Sequence, residues 1–596
     1  MLKGVSFTPL VLAAVLRLSS GVSASVVNVE LNIQNAELAP DGLSRSTVTA
    51  NGIIPGPLIS GNIGDQFLIN VEDNLTDSTM NRATSLHWHG IFQAHTAEMD
   101  GPAFVTQCPI VPQNNFLYNF TVPDQSGTYW YHSHLAAQYC DGLRGPLVLY
   151  DPNDPLQDLY DIDDESTIIT LMDWYHTVSN TLFPNPTNAT PTPDSTLING
   201  LGRWSGNATS DLAVVRAQPG KRHRFRLIST SCFPSFLFSI DGHNMTIIEA
   251  DGVETDSVTV DSLNIFAAQR YSIIVTMDQS IDNYWIRAIP SSPAGSTTAD
   301  GINSAILRYD GAADTEPTTN ATNNATVLNE SDLHPLINPG APGLPFVGGA
   351  DVVKTMQISR PAFQFEINGV PFNPPSVPVL LQILSGTTSA TDLLPPWLCI
   401  LAPTESDHRN QHSWRRQCML RPPLYIIYAD RQSQYLTYQH PFHLHGHNFD
   451  VIRVAGNASY NFANPVRRDT VSIGAGTDNV TFRFVTNNPG PWFLHCHIDW
   501  HLEGGLAVVF AEDAEDVSTS DPAKADWSNL CPLYNQLNPD TGLAYEFISI
   551  ESSHNVAPSI AVSHMTRPAM TISAYERIKT QAWLKNGKRL GMSIWN

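Results

Sequence analysis

Short runs rich in apolar and β-branched residues dominate the chain. DQFLINVEDN (65–74), STIITLMDW (166–174), RHRFRLIS (222–229), MTIIEADG (245–252), RYSIIVTMD (270–278), NVTFRFVTNN (479–488) and GLAVVFAED (505–513) are separated by Gly, Pro, Asn and Asp. Side chains of an extended strand alternate faces with period two, so such runs predict strands. Sustained helical periodicity is scarce, and the whole reads as β-sandwich domains. Residues 311–336 are polar, rich in Thr and Asn, and read as a linker. Two stretches break the pattern. Residues 395–439 include ESDHRNQHSWRRQCMLRPP and show no strand alternation; the tail from about 541 carries six Lys/Arg against three Glu.

Length and charge narrow the class. At about 150 residues per domain, 596 residues suggest roughly three or four domains. A net charge of −24 argues against nucleic acid or an anionic membrane as partner. The first 24 residues resemble a secretory signal: Lys3, an apolar run from Phe7 to Leu16, and small residues at Val22-Ser23-Ala24, with Arg17 interrupting the apolar side. No later stretch is apolar for ~18 residues, so no membrane span is expected. Ten Asn-X-Ser/Thr sequons, at Asn74, Asn119, Asn188, Asn207, Asn244, Asn320, Asn324, Asn329, Asn457 and Asn479, fit secretion. Seven cysteines in a secreted chain suggest disulfides plus one odd thiol, and Cys496 is the natural candidate.

Histidine carries the chemistry. His-X-His occurs at 87/89, 132/134, 443/445, 445/447 and 495/497. Chance predicts about 0.7 such pairs for this composition, and clustered imidazoles usually mean metal. Four pairs, His87/His89, His132/His134, His443/His445 and His495/His497, supply eight imidazoles, each pair on one face of its strand. Eight exceeds one tetrahedral zinc and fits about three copper ions at two to three imidazoles each. His440 lies an odd number of residues before His443, and Cys496 lies between two histidines, so both face away from that cluster. With His501 from the following turn they form a two-His, one-Cys set, that of a blue-copper electron-transfer centre. His447 keeps the even parity, but Gly446 bends the chain, and His447 is set aside as a ligand. His95, His176, His223, His243, His334, His408, His412, His554 and His564 read as ordinary loop or surface residues.

HWHGIFQ, DGPAFVTQCPI, GTYWYHSHLAAQYCDGLRGPLVLYDP, SIDGHNMTIIEADG, HPFHLHGHNFDVIR and GPWFLHCHIDWHLEGGLAVVFAED resemble the motifs of the three-domain multicopper oxidases, and within them the fungal laccases. The resemblance runs from about residue 25 to 540. It implies an all-β chain of three cupredoxin-like Greek-key β-sandwiches at 25–154, 155–310 and 345–540, with 311–344 as linker, 1–24 as signal and 541–596 as an atypical tail. It implies four coppers: type 1 on His440, Cys496 and His501; type 2 on His87 and His443; a type 3 pair on His89, His132, His134, His445, His495 and His497. The implied reaction is one-electron oxidation of phenols or aromatic amines, coupled to reduction of O2 to water, by a secreted monomer. Leu506 matches the axial position as a non-ligand, which raises the reduction potential. Asp100 and Asp499 match carboxylates near the cluster, as proton relays or as groups that orient its ligands. Cys108 with Cys531, and Cys140 with Cys232, match the family disulfides.

The chain departs from that family in three places. Phe233 stands where fungal laccases usually carry an acid that accepts the donor's proton, so a weakened phenol site is expected. Residues 395–439 are longer and more basic than the family's strand–turn–strand, and read as a sequence error such as a retained intron; Cys399 and Cys418 are extra and could pair. The tail is assigned no chemistry. A multicopper oxidase acting on metal ions or ascorbate, or a copper-binding chain without turnover, remain the competing readings.

Overall fold

The computed structural model describes residues 24–183, 190–291, 295–322, 325–361, 364–385, 439–476, 478–514, 516–521 and 524–537, with the backbone alone of strands 398–401 and 426–429. The signal, the rest of 395–438 with Cys418, the side chain of Cys399, and the tail lie outside them.

Six sheets form three sandwiches. The first pairs two four-stranded sheets, the second a seven- with a five-stranded sheet, the third a six- with a five-stranded sheet. Each mixes antiparallel neighbours with parallel pairs between distant strands, the mark of Greek-key winding: Val26–Gln34 runs parallel to Gln66–Asn74, and Val214–Ala217 parallel to Ser304–Tyr309. Period two is visible where one face meets solvent. Along Gln66–Asn74, Phe67, Ile69 and Val71 are buried while their neighbours are not. Ile168–Trp174 is buried throughout, matching its mostly apolar run, with Thr170 and Asp173 buried among the rest.

Two expectations change here. The polar stretch from 311 is bound rather than free along the second sandwich: Leu328 N donates to Ser262 O at 2.9 Å, Arg203 meets Glu316 at 2.8 Å, and Thr319 Oγ1 donates to Asp241 Oδ2 at 2.8 Å. Its backbone finds acceptors on strand edges, which polar composition does not reveal. Within 395–439, Leu398–Leu401 pairs parallel with the strand Ala507–Glu512, and Ile426–Ala429 joins Thr355–Ser359 and Asn479–Arg483. Two short apolar runs therefore act as strands inside a segment expected to have none.

Covalent and ionic ties hold the sandwiches together. Cys140–Cys232 joins the first to the second, and Cys108–Cys531 joins the first to the helix Ala525–Tyr534. Cys496 is a free, buried thiol. Between the second and third, Arg270 meets Asp469 at 2.5 Å and Arg468 meets Asp251 at 2.9 Å, all four side chains buried. No helix among the described residues is long and apolar enough to cross a membrane.

Candidate metal centres

Four buried strands build the site. Leu86–His89 pairs antiparallel with Gly127–Ser133 in a register that sets His87 opposite His132. Pro441–Leu444 pairs with Gly490–Cys496, setting His443 opposite His495 and Phe442 opposite Cys496. Directly opposed residues share a face. The two strand pairs, one from each end of the chain, bring eight imidazoles together, and Cys496 turns to the other side.

The imidazoles of His87, His89, His132, His134, His443, His445, His495 and His497 are all buried. Ring centroids lie 3.7 Å apart for His89 and His443, 4.0 Å for His87 and His445, and 5.3 Å for His132 and His497. Ligand atoms converge within 4.8 Å in the sets His87/His443/His445, His87/His89/His132 and His134/His445/His495. Hydrogen bonds fix the ring orientations. Nδ1–H donates to a carbonyl or carboxylate oxygen in His87 (Asp100 O, 2.7 Å), His132 (Ser133 O, 2.8 Å), His443 (Asp469 O, 2.9 Å), His445 (Asp100 Oδ2, 2.8 Å) and His495 (Cys496 O, 3.0 Å). A carbonyl only accepts, so each such Nε2 presents a lone pair inward. Nε2 of His87, His132, His134, His443 and His497, and Nδ1 of His89, are buried without a protein partner. Nε2 of His445 and His495 face each other at 3.2 Å. Buried nitrogens in such numbers are costly unless something binds them, and nitrogens of this number and kind fit copper.

The second set is compact. His440 Nδ1 and His501 Nδ1 each lie 3.7 Å from Cys496 Sγ and 3.2 Å from one another. All three are buried. Burial lowers His440 to a pKa of about 4, drives His501 well below its ordinary value, and raises the Cys496 thiol. Burial and mutual repulsion likewise hold His89, His132, His134, His445, His495 and His497 well below 6.5, as neutral, ligand-ready rings.

The other sequence candidates fall as follows. Asp100 sits on the cluster between His87 and His445. Asp499 opens the helix Asp499–Glu503, its amide bonded to Cys232 O at 2.9 Å and its carboxyl pushed well above the usual range by burial and by Glu503. Leu506 is buried, its backbone clamped to both arms of the Cys496 centre: N to His501 O at 3.0 Å, O from Cys496 N at 3.1 Å. The Phe233 ring lies 6.5 Å from that of His501. His447 turns away after Gly446, whose φ of +72° breaks the strand, and meets Glu512 at 3.2 Å. His223 and His243 are buried, not at the surface; His243 reaches Tyr309 Oη at 2.6 Å.

Sequence reasoning missed several neighbours. Asp469 lies 3.3 Å from His89 and 3.4 Å from His443, held well below the usual carboxylate range chiefly by Arg270. Tyr139 Oη lies 3.3 Å from His497 Nδ1, Trp130 stacks on His132, and Phe365 lies 4.6 Å from His501. Trp130 shares the parity of His132 on the strand Gly127–Ser133, a signal the sequence reading did not use; Asp469, Tyr139 and Phe365 lie outside any such alternation.

Three profiles described as multicopper oxidase match residues 32–154, 165–312 and 372–516. A laccase of Trametes villosa is 55% identical over 531 residues, 89% of this chain and 98% of its own length. A laccase of Phlebia radiata is 55% identical over 526 residues, 87% and 96%. The crystal structure of a Botrytis aclada laccase superposes with a TM-score of 0.73 at 30% identity, covering 87% of this chain and 93% of that one.

Proposed function

Because the chain belongs to the multicopper oxidase family, among its fungal laccases, we propose that it is a secreted monomer oxidising phenols or aromatic amines at the His440–Cys496–His501 centre and reducing O2 at the eight-histidine cluster. It is an enzyme of copper-dependent oxidation with O2. In this reading His440, Cys496 and His501 hold type 1 copper, His87 and His443 type 2, and His89, His132, His134, His445, His495 and His497 the type 3 pair. Bound there, copper would supply one-electron uptake from the donor and four-electron delivery to oxygen.

The chain's own residues organise that chemistry. The backbone from Cys496 to His495 and His497 joins the two centres through a few covalent bonds. Oxygen acceptors on Nδ1 hold five of the cluster rings, those of His87, His132, His443, His445 and His495, in one tautomer, so these need no reorientation on binding metal. Trp130, stacked 4.2 Å from His132, helps keep water off one side of the cluster. Asp100, with Oδ2 on His445 Nδ1, is placed to hold a proton and pass it toward reduced oxygen. Leu506 offers no ligand atom on the Cys496 side, favouring a high potential. Phe233 offers no acceptor for a donor's proton.

One observation carries the proposal: the register that sets His443 against His495 puts Cys496 on the opposite face, with His440 and His501 at 3.7 Å from its sulfur. Copper per chain on the secreted protein, read with the visible copper–thiolate band, tests it. About four coppers with the band are expected, as the ligand count requires. Fewer coppers without the band would refute the assignment of Cys496.

A further inference from the structure

His501 is held end-on. Its Nδ1 faces Cys496 Sγ and His440 Nδ1, so Nε2 is the nitrogen turned away from the centre. That atom lies 3.1 Å from Thr190 Oγ1. A histidine that binds metal through Nδ1 carries its proton on Nε2, so Nε2–H donates to the Thr190 hydroxyl. Phe365 and Phe233 flank the same ring, at 4.6 and 6.5 Å between centroids. Cys496, His440 and His501 are all buried, and Thr190, half-buried on Nε2, is the outermost of the four, so a donor reaches the centre on the Nε2 edge past Thr190.

We propose that Thr190 is a specificity-determining residue of the donor site: its hydroxyl occupies the hydrogen-bonding position on His501 Nε2 that a phenolic oxygen would take. The inference rests on His440, Cys496 and His501 being the type 1 centre. A small phenol must displace an internal partner before it can bond to Nε2. A larger aromatic donor that binds through apolar surface rather than through that hydrogen bond has no such requirement. Selectivity is thereby moved from oxygen recognition toward aromatic surface.

Thr190→Ala on the full secreted enzyme is the test, with guaiacol as the small phenol. Thr190 also completes the sequon Asn188-Ala189-Thr190, so Asn188→Gln removes the sequon alone, and Thr190→Ser keeps both sequon and hydroxyl. Thr190→Ala is expected to lower KM for guaiacol by about three- to tenfold, one hydrogen bond's worth, with kcat moving less. Thr190→Ser should return KM toward the parent. A second readout is independent of turnover: losing the acceptor on Nε2–H makes the imidazole a weaker ligand, so the reduction potential of the copper–thiolate band should rise in Thr190→Ala and return in Thr190→Ser. An unchanged KM and potential in Thr190→Ala, with the band intact, would overturn the proposal, as would a KM drop reproduced by Asn188→Gln. Absence of the band in the parent protein would instead bring down the type 1 reading, and this inference with it.

Discussion

The buried ion pair between Arg270 and Asp469 gives a quantitative handle on the cluster. Both side chains are essentially inaccessible, and the contact is two-pronged: Nη1 to Oδ1 at 2.9 Å and Nη2 to Oδ2 at 2.5 Å. It crosses from the second sandwich to the third, and Asp469 also touches His89 and His443. Arg270→Met keeps much of the side chain's length but leaves a buried carboxylate whose main compensation is gone. Removing one partner of such a pair costs about 3–5 kcal/mol. At about 2–4 °C per kcal/mol for a cooperative unit of this size, the thermal midpoint should fall by roughly 6–20 °C, compared at one scan rate because large, disulfide-bonded proteins often unfold irreversibly. Arg270→Met/Asp469→Leu leaves no orphan charge and should regain most of that loss. Its copper affinity should nonetheless drop by about 10- to 100-fold, since His89 has lost its orienting carboxylate, while the Asp469 carbonyl on His443 remains. Calorimetry and copper analysis on the three proteins decide it. If Arg270→Met melts within about 2 °C of the parent, the pair is not the strut described here.

Two further outcomes follow from the same geometry. Burial and the neighbouring Glu98 push the Asp521 carboxyl up to about 8, with Lys524 2.7 Å from Glu98 and the Ala97 amide on Oδ2. A carboxyl held protonated in the fold contributes stability that is full below about pH 4 and is lost as pH rises toward 8. Asp521→Asn should therefore flatten the fall in melting temperature between pH 5 and pH 8; an unchanged slope would contradict this. Phe233→Asp, beside His501, restores an acceptor for the donor's proton; phenol KM should fall and the pH profile move, whereas a non-ionisable donor should be affected less. Identical KM and profile would show that another group already fills the role.

Much of the site was legible because strand geometry is simple arithmetic. Period two places His495 with His497 and Cys496 against them, and the register of Pro441–Leu444 with Gly490–Cys496 realises that in space. The disulfides Cys108–Cys531 and Cys140–Cys232 follow the family pattern. What escaped depends on docking between distant parts. Asp469 sits in RRDT with no periodic cue, and its partner Arg270 is 199 residues away. Thr190 lies 311 residues from His501. His223 and His243 read as surface residues because a lone histidine gives no sign of the sheet that buries it. Leu398–Leu401 and Ile426–Ala429 were hidden because each is only four residues long, too short to show a clear alternation.

The cluster's split origin also bears on biosynthesis. Strands near the start of the chain supply His87, His89, His132 and His134; strands near its end supply the rest. His89 and Asp469 alone are 380 residues apart, a wait of roughly 20–80 s at about 5–20 residues per second of synthesis. Until the last strands emerge, the early histidines are half a nest, able to hold metal only loosely. A chain cut short anywhere before His497 lacks part of the nest for good. Tight metal retention therefore certifies that translation ran to the far side of the molecule.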